Sequence, residues 1–197
     1  EQEALARRRT SLGIPAGRQV VVYLGLLAHY QGTDALLEAA RHVLQERDDV
    51  HFLIMGFPAV DHYKCVAHQK GLTGHVTFTG KVPYRQARDL LALGDIAVAP
   101  KLSATEGSGK ILNYMAMGLP TVAFDTPVSR EYLGEEGVFA QPGDPTSLAQ
   151  ALLVGLSGSP EDRRRQGEKL RRIAVDDFPL DRAAETIFQA YGVVCQS

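Results

Sequence analysis

The chain has 197 residues, 45% of them hydrophobic and 22% charged, with a formal net charge of −2. That balance fits one well-buried globular domain of ordinary composition and excludes a chain drawn to nucleic acid by an overall basic field. No apolar run approaches the roughly 20 residues that span a bilayer, and the 2 cysteines, Cys65 and Cys195, form no CxxC pair or Cys/His cluster of the kind that holds zinc.

In chain order, "EQEALARRRTSLGIP" (1–15) reads as a charged helical flank, taken here as 1–17. It opens on Glu1 without a methionine or a signal-like segment, so a piece of a longer protein is expected. "VVVYLG" (20–25) is a β-branched run closing on Gly25 and predicts the first strand. "TDALLEAARHVLQER" (33–47) follows with Leu36, Leu37, Ala40, Val43 and Leu44 on one helical face. "VHFLIMG" (50–56) predicts a second strand, and "DHYKCVAHQKG" (61–71) a helix closed by Gly71. "HVTFTG" (75–80) is a third strand, "PYRQARDLLALG" (83–94) a helix bounded by proline and glycine, and "DIAVAP" (95–100) a fourth strand. "TEGSGKILNYMAMGLPTVAFD" (105–125) supplies a helix starting at Gly107 or Ser108, then a fifth strand. "VFAQP" (138–142) predicts a sixth strand, and "DPTSLAQALLVGL" (144–156) a helix capped by Asp144 or Thr146.

Strands alternating with helices at this spacing predict an α/β fold: a doubly wound parallel sheet, Rossmann-like, over 18–158, followed by a helical tail over 159–197. Open parallel sheets bind ligands beyond the carboxyl ends of their strands. The segments after the first, third and fourth strands, "GLLAHYQG", "GKVP" and "PKLSATEGSGK", therefore share one rim.

A helix starting near Gly107 presents unpaired amides and the positive end of its dipole. Gly107 and Gly109 let an anion approach the backbone, and Lys110 and Lys101 add full charges. The stretch is neither a P-loop nor a GxGxxG fingerprint. Glu106 would repel a phosphate, so it is expected to accept hydrogen bonds from hydroxyls, with Asn113 within reach of a second set. A ligand carrying both phosphate and hydroxyls fits, namely a sugar nucleotide. The same residues also read as a plain helix start, with Glu106 favoured by the dipole, the glycines as turn formers and Asn113 solvated.

The ordered set "VVYLGLL…QG", "VHFLIMG", "VTFTGKVP", "GDIAVAPKLSATEGSGKILNYMAMGLPTVAFD", Glu131 in "SREYLG", "VFAQPGDPTSLAQAL" and "FPLDRAAETIFQAY" resembles the C-terminal, nucleotide-sugar donor-binding domain of retaining GT-B fold glycosyltransferases. That is the glycosyl transferases group 1, or GT4-like, family, and the resemblance runs from about Val20 to Tyr191. It implies transfer of a sugar from a nucleotide diphosphate to an acceptor hydroxyl with retention at the anomeric carbon and no metal. It also implies an acceptor-binding N-terminal Rossmann domain outside this chain, without which the chain would be inactive. A Glu–seven residues–Glu motif of the family falls where this chain has Glu106 to Asn113. By that resemblance Glu106 orients the donor sugar, the amides of Gly107, Ser108 and Gly109 lie near sugar and phosphate, Gly25 ends the first strand at the donor, and Lys81 and Val82 flank the base. Asn113 replaces the second glutamate, with a spacer one residue shorter. The arginine and lysine with which the family clamps the diphosphate correspond here to Leu26 and Gln31, so Lys101 and Lys110 are the candidate replacements. A catalytically degenerate sugar-nucleotide-binding module and a GT-B epimerase or phosphorylase are the competing readings. They turn on whether both lysines point into the site with Glu106.

The remaining features are expected to be structural. His29 and Tyr30 are rim loop residues, Cys65 a buried small hydrophobe, and Met115 and Met117 core. Arg163, Arg164, Arg165, Lys169, Arg171 and Arg172 in "EDRRRQGEKLRRIAVDD" are read as a solvated face, with membrane contact possible but not indicated. Phe178, Ile187, Phe188 and Tyr191 give the closing segment an amphipathic pattern. Location is expected to be cytoplasmic, with a peripheral place at the inner membrane face as the alternative for the full-length protein.

Overall fold

The computed structural model describes residues 2–103, 105–179, 181, 182, 184 and 188. Six strands pair in parallel throughout: β1 (Gln19–Leu26), β2 (Val50–Phe57), β3 (Val76–Gly80), β4 (Ile96–Ala99), β5 (Thr121–Phe124) and β6 (Val138–Ala140). Their order is β3-β2-β1-β4-β5-β6. The chain winds outward from β1 to one edge, then returns to build the other half from β4, so the switch point lies between β1 and β4. Val20–Tyr23, Phe52–Met55 and Ile96–Ala99 are buried, as expected of central strands covered on both faces.

The helices divide between the two faces. On one, α2 (Thr33–Glu46) buries Leu36, Leu37, Ala40 and Val43 against the sheet, beside α7 (Pro145–Ser157). On the other, α4 (Tyr84–Leu91) and α5 (Gly109–Ala116) bury Leu90, Leu91, Ile111, Tyr114 and Met115. The Asp144 side chain caps α7 by accepting from the amides of Thr146 (2.8 Å) and Ser147 (3.1 Å), which decides between the two candidate caps.

The flanks pack on this body. In α1 (Gln2–Ser11) Arg9 pairs with Asp95 at 3.0 Å and donates to the Leu93 carbonyl. α8 (Pro160–Asp177) buries Leu170 and also Arg163, which donates to the carbonyls of Leu156 and Gly158. Arg163 is thus an anchor rather than part of a solvated face, whereas Arg164 and Arg165 are exposed and pair locally with Glu168 and Asp162. Among the described residues no helix is long and apolar enough to cross a membrane.

Two further corrections concern helices. α6 (Pro127–Leu133) was not expected, although Thr126 accepts from the Ser129 amide ahead of a proline at the helix start. Cys65 is exposed: α3 (Val60–Gln69) turns Tyr63 and Ala67 inward, and a residue two places on from Tyr63 faces the opposite side. Phe178 meets Tyr132 edge-on at 5.1 Å and Phe188 is exposed, while Ile187, Tyr191 and Cys195 lie outside the described residues.

The loops after β1 and β4 are fastened together. A short 3-10 turn, His29–Gln31, ends on Gly32, whose φ of 78° is left-handed. A side chain there is blocked twice, because a Cβ on Gly32 would stand 1.7 Å from the Pro100 carbonyl oxygen. The Leu102 amide donates to the Tyr30 carbonyl at 3.1 Å. This stitching carries Gln31 to the mouth of β4.

Candidate functional site

At the switch point, β1, the β4 loop and the start of α5 enclose a cleft of about 330 Å³. Its lining gathers Gly25, Lys101 and Glu106 with Gly107, Ser108 and Gly109. Lys110, Asn113, Leu24, Leu26 and Gln31 complete it. Eight of the ten candidate donor-site residues thus meet in one place. Lys81 and Val82 do not line it. They follow β3, at the far edge of the sheet, where the Lys81 ammonium lies 5.1 Å from the centre of the Phe57 ring. A cleft of about 350 Å³ between α4 and α5 shares only Asn113 with this site and is lined mainly by Tyr84, Arg85, Arg88 and apolar side chains.

α5 begins at Gly109, with Ser108 as its N-cap residue, one or two residues later than the sequence suggested. Ser108 does not cap: its φ of −118° and ψ of 76° leave the hydroxyl without a backbone partner. That hydroxyl is buried, in a residue 5% exposed, with no hydrogen-bond partner among the described residues. A buried hydroxyl without a protein partner at the open end of a helix is available to a ligand atom or a water.

The two lysines play different parts. Lys101, 7% exposed, is tied into its own loop. Its ammonium pairs with the Glu106 carboxylate at 2.9 Å and donates to the carbonyls of Gly107 (3.0 Å) and Glu106 (3.3 Å). Glu106 itself is 65% exposed at its side chain, open to a ligand with Lys101 behind it. Lys110 crosses from α5 to β1. Its ammonium donates to Gln31 Oε1 at 2.9 Å and to the Tyr23 hydroxyl at 3.3 Å, and lies 4.4 Å from the Tyr23 ring centre. Burial first, and the neighbouring Lys101 charge second, push the Lys110 pKa down to about 7. A cation in the first turn of a helix also opposes the dipole. The fold therefore keeps a poorly solvated amine where local rules disfavour one, a pattern typical of functional sites.

Gly25 explains how Lys110 gets there. A Cβ on Gly25 would lie 2.7 Å from the Lys110 ammonium and 3.1 Å from the Tyr23 hydroxyl. The role of Gly25 is to leave room for the lysine. Tyr23 and Tyr114 were not singled out in the sequence, where a tyrosine inside an aliphatic strand or helix is a weak signal. Burial raises the pKa of both, so they stay neutral. The Tyr23 hydroxyl donates to the Leu26 carbonyl at 2.7 Å, and the Tyr114 hydroxyl accepts from the Leu24 amide at 2.7 Å. Together they pin the end of β1. Tyr114→Phe leaves that amide unpaired, and urea unfolding is expected to show a loss of roughly 1–3 kcal/mol.

His29 is exposed and pairs with Asp34 at 3.1 Å, consistent with a surface loop role. Among the described residues no group of three or more His, Cys, Asp or Glu side chains is placed to hold a metal ion.

A doubly wound sheet with a charged cleft at its switch point defines an α/β domain of the Rossmann type. The chain belongs to the glycosyl transferases group 1 family, whose model matches residues 18–157. It is 26% identical over 180 residues to the alpha-monoglucosyldiacylglycerol synthase of Streptococcus pneumoniae, covering 90% of this chain and 41% of that protein. It is 31% identical over 145 residues to the phosphatidyl-myo-inositol mannosyltransferase of Mycobacterium leprae, covering 72% of this chain and 38% of that protein. The chain thus spans less than half the length of these relatives. The crystal structure of Anabaena Alr3699/HepE in complex with UDP-glucose superposes with a TM-score of 0.83 at 19% identity, over 98% of this chain and 53% of that one. The fold is that of one Rossmann-like half of a GT-B glycosyltransferase.

Proposed function

We propose that this chain is the donor-binding half of a retaining glycosyltransferase, and that its cleft holds a nucleotide-diphosphate sugar for transfer to an acceptor hydroxyl. The observation that carries this reading is the convergence, in one cleft at the switch point, of a carboxylate, two lysines and a helix start with an unpaired hydroxyl. The likeness to an alpha-monoglucosyldiacylglycerol synthase and a phosphatidyl-myo-inositol mannosyltransferase, and to a structure solved with UDP-glucose, supports it.

In this reading the diphosphate faces the α5 amides, Ser108 and the lysine side of the cleft. Positive charge there stabilises the leaving nucleoside diphosphate as the anomeric carbon–oxygen bond breaks. That charge comes from side chains and amides rather than from a metal ion. Glu106, with Lys101 behind it, accepts from sugar hydroxyls and fixes the anomeric carbon. Asn113 reaches ribose hydroxyls with a neutral amide. The acceptor site belongs to a second Rossmann domain outside this chain, so the chain alone binds donor without transferring sugar. The exposed thiol of Cys65 suits a reducing, cytoplasmic setting. Both lysines line the cleft with Glu106, which favours a working transferase over a degenerate module.

The test is calorimetric titration of the chain with UDP-glucose, GDP-mannose and ADP-glucose, and with each nucleoside diphosphate alone. One base class is expected to bind saturably. Glu106→Gln is expected to weaken the sugar nucleotide about tenfold or more while leaving the free nucleoside diphosphate unchanged or tighter. A folded chain that binds none of the six ligands would overturn the reading.

A further inference from the structure

Two cations line the cleft, but the structure gives them unequal access to a ligand. The Lys101 ammonium already has the Glu106 carboxylate and two loop carbonyls as partners, in a residue almost wholly buried. A phosphate that recruited it would have to displace Glu106 and unpick its own loop. Among the described residues the Lys110 ammonium has only neutral partners, the Gln31 amide oxygen and the Tyr23 hydroxyl, and neither competes with an anion for its charge. Its reach across to β1 depends on the bare Cα of Gly25. Gln31 is held at that point by the fastening of its turn onto Pro100 and Leu102.

We infer that Lys110 is the single cation that grips the donor's diphosphate, that Gln31 and Gly25 aim it from the first strand, and that Lys101 serves Glu106 and not the phosphates. This deepens the donor-site reading and rests on it. The geometry makes the cation transferable: Lys110 Nζ and Gln31 Oε1 lie 2.9 Å apart, so a lysine at position 31 would put its charge at nearly the same place. Gly25 and Gln31 are positioning residues, since each acts through Lys110.

The experiment titrates inorganic pyrophosphate and UDP-glucose into the wild-type chain and four variants at pH 7, with circular dichroism confirming the fold of each. Pyrophosphate reads the grip on phosphates without base or sugar. Lys110→Met is expected to weaken it about 10- to 100-fold. Adding Gln31→Lys to Lys110→Met is expected to restore pyrophosphate affinity to within about threefold of wild type. Gly25→Ala is expected to lower it up to about tenfold with the lysine still present, because a Cβ 2.7 Å from the ammonium pushes the lysine tip off its position. Lys101→Met is expected to change pyrophosphate affinity by less than about threefold while weakening UDP-glucose, through a disordered Glu106. Full pyrophosphate affinity in Lys110→Met, equal losses in Lys101→Met and Lys110→Met, or no recovery in the charge-swapped pair would each overturn the inference. The pyrophosphate pattern without any binding of UDP-glucose, GDP-mannose or ADP-glucose would sustain a phosphate clamp at Lys110 and remove the donor-site reading. A wild-type chain that ignores pyrophosphate overturns the clamp.

Discussion

Gly32→Ala is expected to destabilise the chain by roughly 3–5 kcal/mol, among the largest effects of any single methyl group in it. Two costs combine at this position. The left-handed φ of 78° strains any side-chain-bearing residue by about 1–2 kcal/mol. The larger cost is collision, because a Cβ would stand 1.7 Å from the Pro100 carbonyl oxygen and 2.6 Å from its carbon. Backbone, not a flexible side-chain tip, is in the way, so the β1 and β4 loops must move apart. Gly17→Ala separates the two costs, since Gly17 has a φ of 82° and no atom within 4 Å of the added methyl. It is expected to lose only about 1–2 kcal/mol. Urea unfolding of both variants, followed by circular dichroism, makes the comparison. Equal losses would mean that the two loops are not fastened through Gly32. The same displacement withdraws Gln31 from Lys110, so on the proposed donor-site reading UDP-glucose affinity should fall in Gly32→Ala even at temperatures where the chain remains folded.

What could be read from the sequence, and what could not, divides along the same line between local and non-local. Five of the six strands stand where runs of strand-forming residues end in or just before glycine or proline, and β5 stops before Asp125 instead; both the run and its stop are local signals. The α5 start was placed one or two residues early, since "EGSGK" contains no residue that forbids a helix. Only the non-helical backbone of Ser108, with its hydroxyl withheld from the cap, delays it. α6 had a readable cap in Thr126-Pro127, but is only seven residues long and too short for a periodic apolar face. Cys65 was misjudged because residue type says "buried" while the phase of α3, fixed by Tyr63 and Ala67, says otherwise.

The site was legible as a set of residues and illegible as a set of pairs. The residues from Glu106 to Asn113 are contiguous, so their convergence follows from one loop and one helix. Lys110 meets Gln31 and Tyr23 across 79 and 87 residues of chain, and nothing local marks those contacts. Gln31 read as the loss of a clamp cation, yet it holds the ammonium that arrives from the other side of the cleft. Lys101 and Lys110 read as equivalent. The distinction came from the Glu106 carboxylate 2.9 Å from one and the Gln31 amide 2.9 Å from the other.

Lys110→Met should stabilise the free chain, and the gain should depend on pH in a way that identifies its cause. The folded pKa of Lys110 is about 7, against an ordinary 10.5. Below pH 7 both folded and unfolded chains carry the proton, and the full cost of holding a poorly solvated ammonium in the cleft is present. Between pH 7 and about 10.5 the folded chain releases the proton while the unfolded chain keeps it. Folding stability therefore rises with pH across that window and the cost disappears above it. The full shift corresponds to at most about 5 kcal/mol. Because Lys110 is only part-buried along its length, solvent screening reduces the expected gain to roughly 2–4 kcal/mol at pH 6. The gain should shrink to near zero by about pH 10.5. Denaturation of wild type and variant from pH 6 to 10 measures it, and a constant difference across that range would show that the methionine acts by packing and not by removing a charge. The same proton links stability to the donor. An incoming diphosphate favours the charged amine and raises its pKa, so at pH 8 wild-type binding should take up close to one proton, seen as a dependence of the calorimetric enthalpy on buffer ionisation heat. Donor affinity should then fall as pH climbs above 7, by at most about tenfold per pH unit, until the pKa of the bound state is passed. Lys110→Met should bind weakly, with no proton uptake from this group and a flat profile over the same range. On the proposed reading, the cost of a poorly solvated ammonium in the free cleft and the affinity for the diphosphate that would relieve it have the same origin in Lys110.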